Sequence, residues 1–284
     1  MSALSRRWVE RDGVRLSYQV SGGTSDCALV MMAGYGRSGS SWIPWLECVG
    51  PLPFRVVLVD HRGTGESARS LRPYTLATMA DDAAAVLRDG AGDAPAIVVG
   101  DSMGGMVAQH LALRHPQRIG GLVLLASSAR VDVVSPAFVR SLPLTIAAAI
   151  SKDVRVWTMC DGLLVDEKKS PGHAHDLLAP LRQIQRRESY SRFNSLLQAV
   201  AMSFHRTVRR LGAVRVPVEV IVGAGDRVLS PRNSRVLSQC LPNARLTILE
   251  DTGHAIPFER PMEILNAITR LRDGSRPIQA RSDL

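Results

Sequence analysis

The chain has 284 residues, 45% of them hydrophobic and 21% charged, which provides enough apolar material for one sizeable core and excludes global disorder. Its formal net charge is +9, and residues 128–215 hold most of the excess, with 14 Lys/Arg against 7 Asp/Glu. The basic residues come in pairs (Lys168-Lys169, Arg186-Arg187, Arg209-Arg210) without interleaved aromatics or a zinc-finger or RNP-like motif, so a solvated basic face is expected and nucleic-acid binding is not.

The first predicted element is a hairpin. Trp8–Arg11 and Val14–Val20 flank Asp12-Gly13, a strong two-residue turn signal. Short continuous apolar runs follow at Ala28–Ala33, Arg55–Asp60, Ala96–Gly100 and Gly121–Ala126. These runs do not alternate polar with apolar, which predicts strands buried on both faces, as in a parallel sheet. Between them, Thr75–Leu87 and Met103–His115 carry helical periodicity, the second stopped by Pro116. Strand and helix alternate, so the expected fold is a doubly wound α/β sheet.

After Ser128 the pattern changes. Helical period dominates to about Leu211, and strands resume at Val218–Gly223 and Arg245–Leu249, followed by a helix near Pro261–Leu271. This predicts an α/β core over residues 1–127 and 212–273, a helical insertion over 128–211, and a polar flexible tail over 274–284.

Chemistry concentrates at strand ends. Gly100-Asp101-Ser102-Met103-Gly104-Gly105 leaves one predicted strand and opens a helix, the context in which G-x-S-x-G becomes a strong signal. A serine on so tight a turn projects its hydroxyl at the C-terminal sheet edge, near the positive end of a helix. The competing reading is a serine that merely caps the helix, but a cap needs no glycine on each side. Serine needs a base to become a nucleophile, and the base needs an orienting acid. Asp226 follows the strand Val218–Gly223, and His254 follows the strand Arg245–Leu249, so both fall at the edge that carries Ser102. Asp251 is the rival acid, and His61, His110, His115, His173, His175 and His205 are the rival histidines.

Together with Asp60-His61-Arg62-Gly63-Thr64-Gly65-Glu66-Ser67, Gly223-Ala224-Gly225-Asp226 and Gly253-His254, the elbow resembles the signature segments of the α/β-hydrolase superfamily. The likeness is to its small microbial esterase, proline-iminopeptidase and C–C hydrolase members, and covers about Trp8–Leu271 outside the insertion. It implies a Ser102–Asp226–His254 triad, with residues 128–211 as the variable cap. It also implies two backbone N–H donors for an oxyanion. Met103 would supply one. Aligning the glycine of the family's His-Gly loop assigns the other to Tyr35, although Ala33-Gly34 stands where the family usually has His-Gly.

The same loop offers a different reading. Gly34-Tyr35-Gly36-Arg37-Ser38-Gly39, with Asp60 about 20 residues on, outlines a dinucleotide-binding fingerprint and so an oxidoreductase. The preceding hairpin and the elbow, acid and base argue against it. No metal or cofactor is expected. None of the cysteines (Cys27, Cys48, Cys160, Cys240) forms a C-x-x-C pair, which predicts reduced thiols. No signal-peptide h-region and no apolar run of ~18–20 residues is present, which predicts a cytoplasmic protein that does not span a membrane. The partner is a small molecule, with a homodimer left open. Apolar insertion residues such as Phe138, Leu142, Ile146, Trp157, Met159, Leu163 and Leu164 suggest a medium-sized, partly hydrophobic ester, lactone or thioester. C–C cleavage or a non-hydrolytic reaction on the same scaffold is the alternative.

Overall fold

The structure is a computed structural model and describes residues 4–22, 27–131 and 191–274. Eight strands form one sheet in the order β1-β2-β4-β3-β5-β6-β7-β8. The strands are β1 (Leu4–Arg11), β2 (Val14–Ser21), β3 (Ala28–Met32), β4 (Arg55–Val59), β5 (Ala96–Asp101), β6 (Ile119–Leu125), β7 (Val218–Gly223) and β8 (Ala244–Leu249). The expected hairpin is present, with β1 antiparallel to β2 and the turn residues Asp12 and Gly13 both at positive φ. β2 pairs antiparallel with β4, and every pairing from β4 onward is parallel.

Seven helices among the described residues wrap this sheet: α1 (Ile43–Val49), α2 (Leu76–Gly90), α3 (Met103–Arg114), α4 (Arg192–Ser203), α5 (Pro231–Cys240), α6 (Ile256–Glu259) and α7 (Pro261–Arg272). Successive side chains of a strand point to opposite faces, and the two sides of the core divide on that rule. Val30, Met32, Val57 and Val59 pack against Met79 and Ala83 of α2 and Met106 and Leu111 of α3. Leu29, Met31 and Leu58 pack with Trp42, Trp45 and the α7 residues Ile264 and Ile268 on the other face. Burial on both faces explains why the strands read as unbroken apolar runs.

Predicted boundaries hold to within a few residues. α2 starts where Thr75 caps it, with a reciprocal bond from Thr78, and runs three residues past Leu87. β6 begins at Ile119, two residues before the apolar run, and the exposed Gly120 between them falls at a shift in the register with β5. Helices α1, α5 and α6 have no counterpart in the expectations from sequence. α1 and α6 are short, and α5 is polar on its outer face with Ser234 and Leu237 as its buried residues.

Most of the expected insertion at 128–211, its apolar residues from Phe138 to Leu164, Cys160, and the tail beyond Gly274 lie outside the described residues. Among the described residues, Cys27, Cys48 and Cys240 form no disulfide. No described helix is long and apolar enough to cross a membrane.

Candidate active site

Ser102 sits between β5 and α3 with φ +51 and ψ −113, a conformation that L-residues rarely adopt. Backbone contacts hold it there. Its N–H donates to Leu125 O (2.9 Å), and its carbonyl accepts from Gly105 N (3.0 Å) and from Ser127 Oγ (3.0 Å). The turn is so tight that a Cβ on Gly104 would fall 2.3 Å from Met32 O, which is why only glycine fits there. Ser102 occupies the N-cap position of α3, yet its side chain makes no capping bond. The hydroxyl instead lies 3.1 Å from His254 Nε2.

His254 Nδ1 lies 2.8 Å from Asp226 Oδ2, and both side chains are buried. The other carboxylate oxygen, Oδ1, accepts from Val228 N (2.8 Å) and Leu229 N (2.9 Å), fixing the carboxylate plane. Since Nδ1 faces a carboxylate, it carries the proton, and neutral Nε2 is left as the acceptor toward the Ser102 hydroxyl. Asp251 is exposed, and its backbone oxygen accepts from Arg260; Asp226 is the acid that meets Nδ1. The loops that carry Asp226 and His254 are braced together by Ala224 N–Leu249 O (2.8 Å) and Gly225 N–Thr252 O (2.9 Å).

A residue that the sequence did not single out secures the histidine loop. Glu259, on α6, accepts from Gly253 N at 3.0 Å and from Ala255 N at 3.2 Å, so one carboxylate holds the backbone on both sides of His254. Nothing in a lone Glu five residues after a histidine signals this role, because it depends on the short helix folding back.

The Tyr35 loop runs beside the nucleophile: a Cβ on Gly34 would lie 3.4 Å from Ser102 Cβ and 3.4 Å from Asp101 Oδ2. Met103, buried, is the first residue of α3, the position whose N–H a helix leaves without an intrahelical acceptor. His61 supports the loop that lacks the family's histidine. Its ring bonds the Ala33 backbone, it is fully enclosed, and burial pushes its pKa down to about 4, so it is neutral near pH 7. Asp101 is also enclosed, with Oδ1 unpartnered. Burial pushes its carboxyl up, opposed by His254 and Arg37 and assisted by Asp226.

The rival histidines are engaged elsewhere. His205 Nδ1 lies 3.3 Å from His110 Nε2, and its Nε2 donates to Ser128 O at 2.9 Å; His115 meets Asp81 at 2.8 Å. His173 and His175 lie outside the described residues. The dinucleotide fingerprint is spent on folding: the buried Asp60 carboxylate accepts from Gly39 N (2.9 Å), Glu66 N (3.1 Å) and Arg6 (2.8 Å), leaving it engaged inside the protein. Among the described residues, no group of three or more His, Cys, Asp or Glu could hold a metal.

A mostly parallel eight-stranded sheet with a strained serine between strand and helix, and an acid and histidine past later strands, defines an α/β hydrolase. Residues 27–261 match the serine aminopeptidase S33 family, and the chain belongs to that family and is a hydrolase. It is 32% identical over 264 residues to the protein named "Putative carbamate hydrolase RutD" from Caulobacter sp. (strain K31), covering 91% of this chain and 96% of that one. Among solved structures it resembles a hydrolase from Pseudomonas aeruginosa PA01 at 26% identity and TM-score 0.72, covering 95% of this chain and 98% of that one. It is also similar to Est816, described as an N-acyl homoserine lactone degrading enzyme, at 27% identity and TM-score 0.73, covering 93% of this chain and 99% of that one.

Proposed function

We propose that this protein is a serine hydrolase that cleaves a carboxylic ester, lactone or thioester of a medium-sized, partly hydrophobic small molecule through an acyl-enzyme on Ser102. The observation that carries the reading is the continuous hydroxyl–imidazole–carboxylate chain, 3.1 Å from Ser102 Oγ to His254 Nε2 and 2.8 Å from His254 Nδ1 to Asp226 Oδ2. In this mechanism Ser102 attacks the substrate carbonyl while His254 takes the hydroxyl proton. Asp226 holds the imidazole tautomer and stabilises the imidazolium. The N–H groups of Met103 and Tyr35 receive the developing oxyanion. His254 then protonates the leaving group, and water activated by the same imidazole releases the acid. Every proton is accounted for by His254, so the cycle needs no metal or cofactor.

The lactone-degrading relative supports a cyclic or linear ester as substrate. A carbamate carbonyl would react by the same steps, and the 32% identical relative named for carbamate hydrolysis favours that class as the second reading. The test is a substrate panel of p-nitrophenyl esters of increasing acyl length, acyl homoserine lactones and simple carbamates, assayed with the wild type and with Ser102→Ala. Turnover of at least one class that vanishes in Ser102→Ala is the expected result. Equal turnover by the variant would overturn the assignment of Ser102.

A further inference from the structure

The Tyr35 loop is held from two directions, and one of its supports comes from outside the catalytic strands. Gly34 O accepts from Arg37 N at 3.2 Å, and Gly36 has φ +68, the pattern of a tight turn with a left-handed third residue. The Gly34–Tyr35 peptide therefore has its carbonyl fixed, and the N–H of Tyr35, on the same peptide plane, points the opposite way. The next peptide, Tyr35–Gly36, is the one that flips when such a turn changes type. Its N–H is not left to solvent: Gly36 N donates to Gln198 Oε1 at 2.9 Å. Gln198 lies on α4, 162 residues along the chain, and is fully buried.

α4 is itself fastened one turn earlier. Asn194 Oδ1 accepts from Ser70 N at 2.9 Å, and its backbone carbonyl accepts from the Tyr74 hydroxyl. A Cβ on Gly63 would meet the Asn194 side chain at 2.4 Å, so helix and core loop are in close contact there. Asn194 and Gln198 stand at i and i+4 on one helix face. The first docks the helix on the 60–70 loop; the second reaches the turn beside Ser102. Gln198 meets the turn through its amide oxygen alone: Oε1 accepts the loop N–H, while the buried Nε2 has no hydrogen-bond partner among the described residues, so the bond to Gly36 is the one that anchors this amide.

We propose that Gln198 is a positioning residue for the oxyanion site. By keeping the Tyr35–Gly36 peptide from flipping it holds the Gly34–Arg37 turn in one type beside Ser102, and so ties the placement of the Tyr35 backbone, and with it transition-state stabilisation, to where α4 sits. This inference rests on the proposed serine-hydrolase reading. It requires Gln198 to act on kcat through the turn, without touching substrate.

The experiment compares Gln198→Met, which keeps length and removes the acceptor, and Gln198→Asn, which keeps the amide but falls one carbon short, with Leu87→Ala. Leu87 is a buried apolar residue in the last turn of α2, on a different helix. Each is measured for kcat and KM on the best p-nitrophenyl ester, for inhibition by an alkyl trifluoromethyl ketone that forms a tetrahedral adduct, and for melting temperature. Both Gln198 variants are expected to lose ten- to a hundredfold in kcat, with KM within about twofold, and to bind the ketone weaker by a matching factor, the range for a weakened oxyanion donor. Leu87→Ala is expected to melt lower while keeping kcat within about threefold, as a cavity variant in the scaffold does. If either folded Gln198 variant keeps wild-type kcat and ketone affinity, or if Leu87→Ala loses kcat as deeply as they do, Gln198 has no positioning role. Wild-type protein that takes no fluorophosphonate label at Ser102 would sink the underlying reading, and this inference with it. A labelled wild type with unaffected Gln198 variants sinks this inference alone.

Discussion

The two sides of the site are built on different architecture. Ser102, His254 and Asp226 stand on loops that leave β5, β8 and β7, each braced by backbone bonds to a neighbouring strand or loop. The Gly34–Arg37 turn, the proposed oxyanion site, is short and glycine-rich, and it meets side chains far along the chain, with Gln198 accepting from Gly36 N and His61 at the Ala33 backbone. Position on a parallel sheet edge is inherited from the fold, whereas position of the turn must be supplied by individual buried polar groups. The first kind of placement tolerates change in surrounding side chains; the second does not.

Substitutions that break the sheet-borne side have the largest expected effects. Ser102→Ala should lower turnover by about 10⁴-fold or more, as loss of a triad nucleophile does, with a melting temperature near wild type. Steady-state ester hydrolysis and calorimetry check both halves. Asp226→Asn should cost about 10³–10⁴-fold in kcat, because the amide favours the wrong imidazole tautomer. Asp251→Asn in parallel should stay within about threefold; a reversal of that ranking would move the acid to Asp251. Glu259→Gln sharpens the comparison at the boundary between the two sides. It keeps shape but gives up charge-assisted bonds to Gly253 and Ala255, so about a tenfold loss in kcat is expected, together with a lower melting temperature.

A separate effect concerns pH and stability. Burial pushes His61, His110 and His205 down to about 4, while an unfolded histidine titrates near 6.5. The neutral form is the one the fold accepts, so the unfolded chain binds more protons between those values. Stability contributed by these groups is complete above about pH 6.5 and is lost as pH falls toward 4, at up to about 1.4 kcal/mol per pH unit for each independent group. His110 and His205 are in contact and will share part of that slope. Denaturant midpoints at pH 7.0, 6.0 and 5.0 should decline, and His205→Gln should flatten the decline. A flat wild-type profile over that range would contradict the burial argument.

What could be read in the sequence follows the same division. The sheet was legible because strands buried on both faces must be continuously apolar, as Ala28–Met32 and Val218–Gly223 are. Ser102 was legible because the close approach behind it admits only glycine at 104. Asp226 and His254 followed from their places just past strand ends. Glu259 and Gln198 left no signal, since an acid or an amide on a helix is ordinary until tertiary packing brings it to a backbone N–H. The Gly34–Gly39 pattern imitates a nucleotide fingerprint for a related reason. Its glycines serve a turn beside Ser102, and Asp60 is consumed by bonds to Gly39, Glu66 and Arg6.

The most direct measurement is labelling with a fluorophosphonate, which reacts with a serine only when base and oxyanion donors act together, followed by peptide mapping of wild type, His254→Ala and, as a control on α5, Ser238→Ala. A single label on Ser102 is expected, lost in His254→Ala and retained in Ser238→Ala. Label on another serine, or undiminished labelling of Ser102 without His254, would contradict it.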